Sequence, residues 1–153
     1  MPKEVETEKV IQAARSSIPL TVKTYTLPHD TEIYLEEILA VFLKEMDQDR
    51  LKDPLAYCLR ELAVNAKKAN TKRVYFKELG LDIMNTQQYE DGMQNFKQET
   101  LDNIGHYLEL QKEAGLYIKV IFHSKAGRLY LYVTNNTEIT RHEQFRVFDR
   151  IAR

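Results

Sequence analysis

Between Leu116 and Asn135 the chain alternates apolar and polar residues twice, with a reversal between the two runs. Ile118, Val120 and Phe122 hold every second position of the first run; Leu129, Leu131 and Val133 do so in the second. Successive side chains of a strand point to opposite faces, so each run predicts a strand with one apolar face. Lys125-Ala126-Gly127 separates them, and its glycine can take the positive φ of a tight hairpin turn. An isolated hairpin is marginal, so the apolar face needs a covering layer. On the other face fall Tyr117, Tyr130 and Tyr132. This ladder is expected to pack beneath a helix or a further strand, because few basic residues interleave it for stacking bases.

The covering layer is predicted to be helical. Residues 4–15 carry a weak stripe of Val5, Val10, Ile11 and Ala14, and 31–47 a wide one of Ile33, Leu35, Ile38, Leu39, Phe42, Leu43 and Met46. Between them, 18–27 reads as a strand, with Leu20 and Val22 alternating with threonine. Asp30 or Thr31 is the expected cap of the second helix. After a polar connection at 48–52, Asp53-Pro54 starts a helix running to about Asn70. Arg73–Lys77 follows as a short strand. Tyr89, Met93, Phe96, Leu101, Ile104 and Leu108 predict a helix from about Thr86, closed by Gly115, with Gly92 and Gly105 each weakening it by ~1 kcal/mol. A last helix beyond Asn136 carries Phe145, Phe148 and Ile151. The expected fold is a single α+β domain over 1–153, a two-layer sandwich of a mixed sheet with helices on one face.

Charge narrows the function classes. Lysine plus arginine number 22 and aspartate plus glutamate 23, so no global field draws the chain to nucleic acid or anionic membrane, and neither is an expected partner. One cysteine, Cys58, excludes an internal disulfide and suits a reducing compartment. With no long apolar window for a membrane span and a charged start unlike a signal peptide, the cytoplasm is the expected location.

One helix carries a chemical pattern. After Pro54, Leu55, Leu59, Leu62 and Ala66 form the expected buried stripe. Glu61, Asn65 and Lys68 stand at i, i+4 and i+7, which at ~100° per residue places them within an arc of about 60°. That arc is expected beside the stripe, with Arg60 and Lys67 pointing farther out. Carboxylate and amide oxygens suit Mg²⁺, and an ammonium suits phosphate. The same spacing is also common on a plain solvated helix flank.

Glu61-Leu62-Ala63-Val64-Asn65-Ala66-Lys67-Lys68-Ala69 resembles the N box of the histidine-kinase-like, or Bergerat-fold (GHKL), ATPases, E-L-x-x-N-A-x-K-A, at every defined position. A strand, a helix, the N-box helix and a strand are similar to the element order of kinase ATPase domains and anti-sigma-factor kinases. The hairpin ending Tyr132-Val133-Thr134-Asn135-Asn136 resembles the strand delivering the family's next motif. The resemblance covers about 18–139, interrupted by a helical insertion at about 79–114. It implies an incomplete Bergerat-type fold binding ATP and Mg²⁺ in signal transduction, with Asn65 as metal ligand, Glu61 as catalytic or supporting acid, Lys68 approaching the phosphates and Asn135 in the place of the adenine-recognising aspartate. It further implies that such a site needs a concavity over that helix edge.

The chain departs from the family after Asn135. The first glycine box reads Asn135-Asn136-Thr137-Glu138-Ile139, without glycine, and none of the five glycines forms a phosphate loop whose backbone amides would hold the anion. The lid and second glycine box would fall beyond Arg153. ATP-dependent kinase or ATPase activity is expected only if a longer chain supplies them. The alternative expectation is a non-catalytic member of the fold, binding a protein partner or a second copy, with 79–114 as the contact surface. His29 is expected to mark a helix entry and not a phosphoacceptor, His106, His123 and His142 to be surface or boundary residues, and Cys58 to fill core.

Overall fold

A computed structural model describes residues 5–137, which form two compact units. The first holds 5–67 and 117–135; the second holds 68–116 with 136 and 137. The predicted last helix and His142 lie outside the described residues. The second unit begins earlier than the insertion expected at about 79–114.

The first unit is built on a three-stranded sheet. Strands β1 (Leu20–Thr24), β2 (Ile118–Lys125) and β3 (Arg128–Asn135) pair antiparallel in that order. Val22, Val120 and Val133 share one row of the register, and Leu20, Phe122 and Leu131 the next. Those rows face helices α1 (Thr7–Arg15), α2 (His29–Glu45) and the first half of α3 (Lys52–Leu79) in one core with Ile38, Leu39, Phe42, Leu59 and Ala63. Phe42 stacks on Phe122 at 5.7 Å. The architecture is α+β, with the helices on the sheet's apolar face.

Local chemistry sets the ends of these elements. β1 stops at Thr24, whose hydroxyl accepts the Leu27 N–H at 3.2 Å and turns the chain. Leu27 itself takes φ +50° and is buried. The cap of α2 is Pro28, with extended backbone and no side-chain bond, ahead of the expected Asp30 or Thr31. Asp30 and Glu32 then lie in the first turn, where an acid meets the positive end of the helix dipole. The hairpin turn has two residues, Ala126 and Gly127, both at positive φ, closed by the Lys125–Arg128 pair.

The expected strand at Arg73–Lys77 is instead helix, because α3 runs unbroken to Leu79. Val74, Tyr75 and Phe76 are all buried in the second unit's cluster, with Tyr89, Phe96 and Tyr107. Three consecutive residues spread over about 200° of a helix, so they are buried together only where the helix is enclosed. Consecutive apolar residues have the same signature in a buried strand, which is why periodicity misassigned them. Gly80, at φ +68°, ends α3 as the Leu81 N–H reaches back to the Phe76 carbonyl at 2.9 Å.

The second unit adds α4 (Thr86–Asp102) and α5 (Ile104–Glu113). The Asn85 side chain caps α4 by accepting the Gln88 N–H at 3.0 Å. The single predicted helix is broken at Asn103, whose amide donates back to the Glu99 carbonyl at 3.0 Å. Tyr75 lies among Phe76, Phe96 and Tyr107, with centroids 5.3–5.9 Å away, and Phe76 stacks on Tyr89 at 5.8 Å. Gly115 ends α5 at φ +70°, as expected. No helix among the described residues is long and apolar enough to cross a membrane.

Candidate functional site

The buried stripe on the first half of α3 is rotated from its expected position. Ala56, Leu59 and Ala63 are buried, Leu55 and Ala66 are half-buried, and Leu62 is 48% exposed. At ~100° per residue the stripe moves about 60° around the helix, onto the two alanines. A small residue lets a helix approach the core closely, so the alanines face inward. The row of Glu61, Asn65 and Lys68 therefore lies on the side of α3 roughly opposite the stripe, not beside it, and all three are exposed.

Arg60 and Lys67 are displaced the other way. Arg60, expected farther out, pairs with Glu36 on α2, and Lys67 is half-buried. Cys58 is exposed, not core filler, since it sits on the row's side of the helix. Tyr57 is exposed there too, at 64%.

Glu61, Asn65 and Lys68 thus share one open edge, and the Asn65 side chain has no hydrogen-bond partner among the described residues. Asn135 does not join them. At the end of β3 its Nδ2 donates to the Ala66 carbonyl at 3.2 Å, on the sheet-facing flank of α3. The neighbouring Asn65 side chain leaves the helix ~100° away. An aspartate at this position would have no N–H for that carbonyl. Oδ1 of Asn135 is left as the acceptor.

A shallow, solvent-open hollow lies on another side of α3. Leu27, Leu35, Leu59 and Ala63 line it with Glu32, Glu36 and Arg60. None of the four candidate residues belongs to that lining, and its one cation is already paired with Glu36.

The donor set on the open edge fits Mg²⁺ in chemical type. One carboxylate and one amide oxygen leave most of an octahedron to phosphate and water, the usual division for this ion. No group of three His, Cys, Asp or Glu suited to a metal occurs among the described residues. His29 is exposed at the start of α2, His106 pairs with Glu78, and His123 points its Nε2 at the Ser17 carbonyl at 3.0 Å.

The tyrosine ladder is also placed differently from expectation. Tyr130 and Tyr132 are 38% and 47% exposed, covered by neither helix nor strand among the described residues. All the helices of this unit occupy the opposite face of the sheet, where the apolar rows are. Basic residues do interleave the tyrosines: Lys119 and Arg128 stand two positions from Tyr117 and Tyr130 in sequence, and the register adds Lys23 beside Lys119 and Lys125 beside Arg128. Reading the hairpin without β1 misses Lys23.

No protein-family description matches the chain, and no solved structure matches it. A curated protein of Treponema pallidum (strain Nichols), described as uncharacterized, is 47% identical over 149 residues, 97% of this chain. The chain spans 29% of that relative's length.

Proposed function

We propose that this chain is a signal-transduction module of the histidine-kinase-like ATPase type whose N-box helix offers Mg²⁺ and phosphate contacts from an open edge. The observation that carries the reading is the nine-residue pattern on α3, with its acid, amide and amine all exposed on one side. Asn65 and Glu61 would hold Mg²⁺, and Lys68 would approach the phosphates. The metal, when bound, would neutralise phosphate charge. An open edge is not yet a site, so this reading requires walls from residues other than those described. Without a glycine-rich loop, affinity would be weak, on the order of 0.1–1 mM, or roughly 4–5.5 kcal/mol of binding. Backbone amide NMR of the labelled protein, titrated with Mg-ATP analogue to about 10 mM, tests it. Saturable shifts along 61–68, lost in Asn65→Ala, support the reading; unmoved amides there overturn it.

A second reading is a non-catalytic member of the same type that binds protein. It is favoured by Asn135 lying off the row, and by Tyr57 and Leu62 exposed on the same side of α3 as Asn65. Leu79, Met84, Leu101 and Ile104 are likewise exposed in the second unit. Sedimentation at micromolar concentration tests self-association: a strict monomer excludes a homodimer module.

A further inference from the structure

We propose that the face of the β1-β2-β3 sheet opposite the described helices binds single-stranded nucleic acid. The outward positions follow from the register. They are Thr21 and Lys23 on β1, Lys119, Ile121, His123 and Lys125 on β2, and Arg128, Tyr130, Tyr132 and Thr134 on β3, with Tyr25 and Tyr117 just beyond the strand ends. Four are cations, and none of the three strands contains an aspartate or glutamate. The chain as a whole carries a net charge of -1, so this face concentrates positive charge against the average. Its partner is therefore anionic.

The aromatic geometry selects the kind of anion. Tyr130 and Tyr132 lie parallel, 6.4 Å apart with 10° between their planes, and both are exposed. His123, tethered to the Ser17 carbonyl, extends the row at 6.4 Å from Tyr130. On the other side of the face Lys23 lies over Tyr117 at 4.5 Å and over Tyr25 at 5.3 Å, and Lys119 over Tyr117 at 5.1 Å. These ammonium groups sit over ring faces. An acidic peptide would use the cations and leave the ladder idle. A single strand uses both: phosphates on the lysines and bases on the rings. A duplex hides its base faces and cannot.

The inference is independent of the ATP reading, since Glu61, Asn65 and Lys68 take no part in it. The test is fluorescence anisotropy of the protein with end-labelled oligouridylate and oligothymidylate at low salt. A polyglutamate peptide and a duplex of equal length serve as competitors. The expected result is saturable binding of the single strands, with log K falling against log salt at a slope approaching about −3 if all four cations meet phosphate. Tyr130→Ala with Tyr132→Ala should weaken binding about tenfold or more, and the Tyr→Phe pair should restore it, because stacking needs only the ring. Both pairs are exposed, and circular dichroism checks that they stay folded. Lys23→Glu with Lys119→Glu should flatten the salt slope. No binding at about 100 µM protein, indifference to the tyrosine pair, or equal competition by duplex or polyglutamate would each overturn the proposal.

Discussion

Replacing glycine by alanine inside a helix ordinarily stabilises it, by up to about 1 kcal/mol, and at Gly92 the structure predicts the reverse. A Cβ there would stand 2.5 Å from two ring carbons of Phe76 and 3.2 Å from a Leu81 methyl. Comfortable carbon contacts lie near 3.5–4.0 Å, so the ring must retreat by about 1 Å. It has little room: Phe76 is buried, stacked on Tyr89 at 5.8 Å and edge-on to Tyr75 at 5.9 Å. Overpacking of this kind costs typically 1–3 kcal/mol. Net of a propensity gain of about 1 kcal/mol, Gly92→Ala should destabilise by up to about 2 kcal/mol, a fall of up to about 8 °C in Tm for a chain of this size. Gly105 is the matched control: its Cβ would meet nothing within 4 Å, so Gly105→Ala should stabilise by a few tenths to about 1 kcal/mol. Urea denaturation followed by circular dichroism compares them. In a double-mutant cycle, Phe76→Leu should cost less in the Gly92→Ala background than in the native one. If Gly92→Ala is as stable as Gly105→Ala, the close approach of α4 to α3 is wrong.

Three further outcomes are expected. Burial, and then the hydrogen bond to Glu99 at 2.8 Å, push the Tyr75 phenol well above its usual value; Tyr107 is raised by burial and then by the Glu78 charge. The unfolded chain therefore loses these protons first, near pH 10, so stability is complete below that and falls as pH rises further, by up to about 1.4 kcal/mol per pH unit from Tyr75; urea midpoints from pH 8 to 11 should drop in the native protein and drop less in Tyr75→Phe. Asn135→Asp, although it installs the residue of the ATPase family, should destabilise by about 1–2 kcal/mol, because a carboxylate replaces the N–H given to Ala66; unchanged stability would mean that bond is not made. Asn65→Ala should stabilise by about 0.5 kcal/mol, since Asn65 is exposed without a described partner and asparagine is a poor helix former; a lower Tm would show a structural task for this amide.

The hairpin was legible from sequence because its information is local: period two, with a glycine at the turn, needs no knowledge of the rest of the chain. The same holds for α2, whose apolar stripe exceeds one turn many times over, and for the glycine that closes α5. Tertiary structure decided which side of α3 faces the core. Leucines and alanines compete for that side at nearly equal periodicity, and close packing against α2 and the sheet selected Ala56 and Ala63 over Leu62. It also decided that Val74, Tyr75 and Phe76 continue a helix, because only enclosure by α4 and α5 buries three consecutive residues at once. The charged tyrosine face belongs to the same category. Lys23 and Tyr25 are far along the chain from the hairpin, and antiparallel pairing alone sets Lys23 beside Lys119. The nine-residue pattern on α3 could be read from sequence to the last residue, but its direction could not, since a helix presents the same letters whichever way its neighbours turn it.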